Sequence, residues 1–237
     1  MHRRLSSCFA TLVVAALIAP PASGQMMPGG PGQMPGRSPS SVVPQDTDSG
    51  STSSVEKPDA AAKKAFKAGM KSLNKAKEFE AAAAAAQNAD KKAKEMEKVG
   101  DAYNSALDQF TEALSNKGDM LEAWDNVGYV HLRLGAYAEA IDDYNHALAL
   151  KPELLEAVEH RGEAYLAVDR LEDAKIAYMD LFNHATNLAD QLMLAMQKWL
   201  TAHRADAHGM RAADVDAFDK WLMERDGIAK QTASLPH

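Results

Sequence analysis

The chain has a single cysteine, Cys8, among 237 residues, and Cys8 lies in a segment that we expect to be removed. A protein without cysteine forms no disulfide and performs no thiol chemistry. Aromatic residues are scarce, at 6%, and basic residues are fewer than acidic ones, 26 against 33. This charge balance argues against nucleic acid or an anionic lipid surface as the main partner.

The amino terminus has the layout of a secretory signal peptide. His2, Arg3 and Arg4 precede an apolar run over residues 9–19, and the small residues 22–24 follow it. A charged start, a short apolar run and a small-residue cleavage site are the parts of such a signal. We therefore expect residues 1–24 to be cleaved and the protein to be exported, to the periplasm or beyond, with no integral membrane segment left.

Residues 25–57 are rich in proline, glycine, serine and methionine, and valines are almost their only strongly apolar side chains besides the methionines. Such a segment cannot bury enough apolar surface to offset its loss of conformational entropy. The composition predicts a flexible tether between the cleavage site and the folded part. A recognition tail rich in proline and methionine is the alternative interpretation.

No catalytic motif is found in the sequence, neither a nucleophile elbow nor a phosphate-binding loop nor a paired-histidine metal motif. We therefore expect a protein that is not an enzyme and that has no cofactor. Residues 203–211 are predicted to form a loop, and a metal bound there by His203, Asp206 and His208 is the alternative.

The clearest pattern in the chain is a repeat with a period of 34 residues. Gly128 recurs as Gly162, and Tyr144 recurs as Tyr178. A fixed period of this length indicates helix–turn–helix units that bury their apolar faces by stacking on one another. The sequence predicts two such units, residues 121–154 and residues 155–188.

The first unit resembles the tetratricopeptide repeat in its signature residues. These residues are Trp124, Val127, Gly128, His131, Gly135, Tyr137, Ala140, Tyr144 and Pro152. The resemblance implies an all-α fold, a short tetratricopeptide-like α-solenoid of antiparallel helix pairs. We expect one helical domain over residues 58–235, with lengthened amino-terminal helices over residues 58–115 and capping helices over residues 189–235.

The amino-terminal helices match the repeat only in part. Phe110 lies one period before Tyr144, whereas the residue one period before Gly128 is Lys94, which does not fit the first helix of a unit. Gly69 is the substitute candidate, and it implies about 20 extra residues in the hairpin, judged against the usual repeat length. The pattern leaves open whether residues 79–115 form one helix. The extension is either a solvated helix surface or an arm offered to a partner.

The family typically binds a peptide or a helix of another protein in a groove lined by the first helix of each unit. Here the resemblance implies a partner-binding site made of Asp125, Asn126, Tyr129, Arg133, Glu156, Glu159, His160 and Glu163. The excess of acids is consistent with a basic or polar partner segment. The other interpretation is a solvated helix face, since Asp119 and Glu122 are spaced as a capping box. We also expect Asp125 to face Glu159 across the stack.

These observations favour a non-catalytic adaptor or assembly scaffold in the cell envelope, which binds a segment of another protein. Two other classes stay open. A self-assembling structural protein would form homo-oligomers through the long helices of residues 59–114. A protein that handles a metal or a small molecule would need a ligand site that the sequence does not display.

Overall fold

The structure is a computed structural model that describes residues 57–205 and 209–233. The described residues form eight α-helices and no strand. The helices are α1 (Pro58–Ala85), α2 (Ala89–Asn116), α3 (Leu121–Leu134), α4 (Tyr137–Leu150), α5 (Leu155–Ala167), α6 (Leu171–His184), α7 (Thr186–Ala205) and α8 (Ala212–Ala233). None of these helices is both long enough and apolar enough to cross a membrane.

Consecutive helices pack as antiparallel pairs, α1 on α2, α3 on α4 and α5 on α6, and each pair also contacts the next. Helix α7 packs on α5 and α6, and α8 packs on α7. The predicted all-α solenoid of helix pairs is therefore confirmed. The predicted signal peptide, and the predicted tether apart from Lys57, lie outside the described residues.

The first hairpin has two helices of 28 residues, twice the 14 residues of α3 and of α4. Helix α1 begins at Pro58, where the fixed φ of proline suits the first helical position. The chain leaves the helix after Ala85, and the Asn88 side chain accepts a hydrogen bond from the Lys91 amide, 2.7 Å away, to start α2. Residues 79–115 are thus not one helix, since a break at residues 86–88 divides them.

A glycine allows a buried ring to pack against the first helix in both of the first two hairpins. A Cβ atom at Gly69 would lie 2.6 Å from the Phe110 ring, and one at Gly128 would lie 2.9 Å from the Tyr144 ring. Both distances are shorter than a carbon–carbon contact allows. Gly69 therefore supplies the first-helix glycine that is missing one period before Gly128. Gly162 differs, because the nearest atoms to its Cβ would belong to Leu192 of α7.

Two local predictions are wrong. Met120 is the residue that precedes α3, and no side chain caps this helix, so Asp119 and Glu122 form no capping box. Asp119 lies one residue too early, because a capping carboxylate must come from the residue next to the first helical turn. The predicted loop over residues 203–211 is also shorter than expected, since α7 continues through His203 to Ala205. The His203 imidazole stacks on Trp199 at 3.7 Å and lies 3.2 Å from the Asp169 carboxylate. These contacts stabilise the last turn of α7.

Candidate functional site

The first helix of each pair lies beside the first helix of the next. Glu80 of α1 pairs with Arg133 of α3, and the Tyr129 ring of α3 lies 5.4 Å from the His160 ring of α5. Helix α7 follows, with Leu192 against Gly162 of α5. The groove that the family resemblance implies therefore corresponds to the side formed by α1, α3, α5 and α7.

A half-buried ion pair joins the lengthened hairpin to the first repeat. Glu80 accepts hydrogen bonds from the Tyr103 hydroxyl, at 2.9 Å, and from the Arg133 guanidinium. Burial alone would lower the pKa of Arg133, but the hydrogen bond to Glu80 and nearby negative charge raise it. Arg133, which the sequence placed in the binding site, thus already has a carboxylate partner within the chain.

Aromatic rings connect α3, α4 and α5 at the centre of this side. The His160 ring packs edge-on against Tyr129, and it stacks on Tyr144 at 5.9 Å. The Lys77 ammonium of α1 lies 4.9 Å from the centre of the Tyr129 ring, within the range of a cation–π contact. Burial, reinforced by the charge of Lys77, lowers the pKa of His160 to about 4, so His160 is neutral at neutral pH.

Four acids surround these rings, and three of them hold their protons unusually well. Burial, reinforced by the charge of Glu156, raises the pKa of Asp125 to about 6. Burial and the charge of Glu163 raise the pKa of Glu159 to about 8. Burial also raises the pKa of Glu163, although Arg133 and Lys198 oppose the shift. At neutral pH this side is therefore less negative than its number of acids suggests.

Two of these acids have another acid close enough to raise their pKa. The charge of Glu156 acts on Asp125, and the charge of Glu163, on the same helix, acts on Glu159. That Asp125 faces Glu159 across the stack stays a prediction. The Asn126 side-chain amide donates a hydrogen bond to the Glu122 carbonyl, 2.7 Å away on the same helix.

We define the polar cluster as Asp125, Tyr129, Arg133, Tyr144, Glu159, His160 and Glu163. Among the described residues, four buried side-chain atoms of this cluster have no hydrogen-bond partner within the protein. They are Asp125 Oδ1, Arg133 Nε, Tyr144 OH and His160 Nδ1. Such a group costs about 1–3 kcal/mol when it is left unpaired. Helix-stabilising acids on a solvated face would not account for this arrangement, because Glu159 itself is only 4% exposed.

The chemistry of this side changes at α7. Met193 lies one period after Glu159, and Leu194 lies one period after His160, so apolar residues take the place of polar ones. Leu194 is 52% exposed, and it lines a shallow hollow with Gln197, Lys198, Thr201 and Ala202. Lys198 lies near enough to Glu163 to affect its pKa, so this face of α7 adjoins the polar cluster.

The two remaining histidine predictions have different outcomes. His131, predicted to be packed and partly buried, lies with Nδ1 2.5 Å from Asp143 of α4 and is half-buried, as expected. The His203 ring contacts the Asp169 carboxylate and stacks on Trp199, while Asp206 and His208 lie outside the described residues. Within residues 57–205 and 209–233, no three histidines or acids are grouped as metal ligands would be.

Sequence reasoning missed Lys77, Glu80 and Tyr103, which come from the lengthened hairpin. The extra residues shift α1 out of the 34-residue period, so no spacing relates Lys77 and Glu80 to the side chains of α3 and α5. Tyr103 of α2 does lie one period before Tyr137, but that spacing indicates only packing. Tyr144 was recognised as a packing residue only. Its position in the repeat predicts the buried ring, whereas the surroundings of its hydroxyl depend on residues of two other helices, α3 and α5.

Comparison with known proteins gives a family match over part of the chain. Residues 121–154 match the family model of the tetratricopeptide repeat. Among solved structures, the chain is similar to the TPR domain of Arabidopsis OM64, with 18% sequence identity and a TM-score of 0.44. That match covers 61% of this chain and 98% of the other. No curated protein matches the chain. The matched residues form the helix pair α3 and α4, and the chain therefore carries a tetratricopeptide repeat over residues 121–154.

Proposed function

We propose that this protein is a non-catalytic adaptor that binds a segment of another protein along α1, α3, α5 and α7. The observation that carries the proposal is the set of buried, unpaired polar atoms in the polar cluster. Folded proteins pair nearly all such atoms, and exceptions call for a specific reason. A partner segment that brings its own donors and acceptors to this side supplies one.

The rigidity of the surrounding contacts supports the proposal. Tyr144 and Glu159 are almost fully buried, and Arg133 is held by Glu80. A binding surface on packed helices loses little conformational entropy when a partner arrives. Helical repeat proteins also use such stacked first helices as extended binding surfaces.

We also propose that the protein acts outside the cytoplasm, within the cell envelope. The support comes from the amino-terminal sequence, where two arginines, an apolar run and small residues follow one another in residues 1–24. The test is amino-terminal sequencing of the protein recovered from envelope fractions. A first residue at or near Gln25 is the expected result, and an intact amino terminus would contradict export by this signal.

The binding proposal is tested by crosslinking and pull-down from envelope fractions, with a charge-reversed variant beside the wild type. Asp125→Lys with Glu156→Lys is suitable, because Glu156 is exposed, whereas a lysine at Glu159 would be buried. Glu139→Lys with Glu172→Lys is the matched control, since both residues lie exposed on second helices. A protein captured by the wild type and the control but not by the variant supports the proposal. Equal capture by all three contradicts it.

A further inference from the structure

The polar cluster and the exposed Leu194 on the neighbouring face of α7 differ in chemistry, and together they restrict what can bind. We propose that the partner segment is an extended chain with a basic residue at the polar cluster and an apolar residue, three positions away, on Leu194. This inference rests on the proposed function and specifies the partner of the same site. Three features of the site define this segment: the charge of the polar cluster, the exposed Leu194 on α7 and the distance between them.

The charge of the occupant follows from the acids. Asp125, Glu159 and Glu163 lie within electrostatic reach of the same buried Tyr144 hydroxyl. None of these three acids forms an ion pair with a lysine or arginine in the described part of the chain; the contact of Glu159 is with His160, at 3.5 Å. An ammonium or guanidinium group brings the positive charge that stabilises the ionised carboxyls in place of their protons.

The site contains a buried hydrogen-bond donor, the Tyr144 hydroxyl, in addition to its acids. The residue is fully buried at 0% exposure, and the described residues provide no partner for its hydroxyl. Asp125 is the acid that affects the hydroxyl most strongly. A phenol is a hydrogen-bond donor, and an ionised carboxylate accepts more strongly than a protonated carboxyl does. A cation that keeps these acids ionised therefore also improves the acceptors available to Tyr144.

Charged groups of the neighbouring helices lie near the polar cluster, and each of the positive groups already lies beside another residue of the chain. Arg133 is paired with Glu80, the Lys77 ammonium lies over the Tyr129 ring, and Lys198 lies at the α7 edge near Glu163. The remaining charged group is Glu156, which is exposed beside Asp125. The positive groups therefore flank the acids, and in the described part of the chain none of them is paired with Asp125 or Glu159.

The distance between the two contacts sets the spacing in the partner. Neighbouring packed helices lie about 8–10 Å apart, so the His160 and Leu194 positions are separated by about that distance. An extended polyproline-type chain advances about 3.1 Å per residue and has three residues per turn. Side chains three positions apart then point the same way and lie about 9 Å apart. A basic residue and an apolar residue at that spacing reach both contacts together.

Peptide selection tests the inference on the purified full chain. A random peptide library is selected on the wild type and counter-selected on the Asp125→Lys, Glu156→Lys variant. We expect the retained peptides to share a lysine or arginine with a leucine, methionine or phenylalanine three positions away. If no peptide is retained, both the proposed function and this inference fail. If peptides are retained without a basic residue or without that spacing, only the inference fails.

Synthetic peptides with one lysine and one leucine separated by one to six positions give the quantitative test, by fluorescence anisotropy. Glu159→Gln and Leu194→Ser should each weaken binding of the spacing-three peptide by about tenfold, equivalent to about 1.4 kcal/mol. Glu139→Gln and Ile176→Ser are the matched controls, because both residues are exposed on second helices. Affinity that is independent of spacing, or equal losses in the controls, overturns the inference.

Discussion

The first two hairpins of this protein share one packing contact but differ in what the packed ring carries. Phe110 covers Gly69 in the lengthened hairpin, and Tyr144 covers Gly128 in the repeat of residues 121–154. Both rings are fully buried, and they occupy the same place in the 34-residue period. Phe110 adds no polar group, whereas Tyr144 adds a hydroxyl without a partner among the described residues.

The difference distinguishes the ring–glycine contact, which both hairpins contain, from the hydroxyl group, which only the second hairpin contains. A ring against a glycine is needed in both hairpins, since 28-residue and 14-residue helices both keep it. The hydroxyl is not needed for packing, because phenylalanine fills the same place one period earlier. The polar group at Tyr144 lies among Asp125, Glu159 and Glu163, where a partner is proposed to bind. Stability and binding therefore make different demands on equivalent positions.

Alanine at the two glycines should have the largest effect on the shared contact. Gly69→Ala and Gly128→Ala each force a methyl group into a buried ring, so each should lower the free energy of unfolding by about 1–3 kcal/mol. Urea denaturation followed by circular dichroism measures this. Gly100→Ala is the control, since no atom lies within 4 Å of its Cβ, and it should stabilise α2 by about 0.5–1 kcal/mol. Equal effects at all three glycines would show that the ring contacts do not limit the packing.

The sequence was sufficient for the parts of this comparison that depend on periodicity. Small residues at a fixed spacing indicate close helix contacts, so the period predicts Gly128 directly and leaves Gly69 as the substitute in the first hairpin. The neighbour of Gly162 was not predicted. It is Leu192, which belongs to α7 and therefore lies outside the helix pair α5 and α6. Periodicity describes contacts within a unit better than contacts between units.

The polar cluster could be predicted only as a list of residues. Burial decides how an acid behaves, and the sequence does not show that Glu159 is 4% exposed. The sequence does not show that Arg133 pairs with Glu80, because the extra residues of the first hairpin lie between them. It also does not show that the charge of Glu156 raises the pKa of Asp125. These features depend on offsets of a few ångströms between helices, which residue spacing does not specify.

The pH dependence of stability should come from Glu159 and His160 of the polar cluster, which lie on α5, and not from the first hairpin. The pKa of Glu159 is raised from 4.5 to about 8, so the folded protein keeps a proton that the unfolded chain releases. Its contribution to stability is complete below about pH 4.5 and is lost as the pH rises through 8. The opposite contribution of His160, with its pKa lowered from 6.5 to about 4, no longer changes above about pH 6.5.

Between about pH 6.5 and pH 8 the free energy of unfolding should therefore fall by about 1–2 kcal/mol in the wild type. Glu159→Gln removes the titrating group and should flatten this decline, as measured by urea denaturation at several pH values. Glu139→Gln, on an exposed face, should leave the decline unchanged. An undiminished decline in Glu159→Gln would place the responsible group elsewhere.

The smallest change converts the second hairpin to the chemistry of the first. Tyr144→Phe keeps the ring over Gly128 and removes only the unpaired hydroxyl, so it should raise the free energy of unfolding by about 1 kcal/mol. The same variant should bind a lysine-containing peptide less tightly, since the ionised acids lose a hydrogen-bond donor beneath them. Tyr178→Phe is the matched control, because Tyr178 is equally placed in the next unit but packs against Trp221 of α8. Higher stability together with weaker binding in Tyr144→Phe alone would show that the hydroxyl is kept for the partner. Lower stability would instead show that the hydroxyl is satisfied in the folded protein, and then the two hairpins would not differ in the way that the structure indicates.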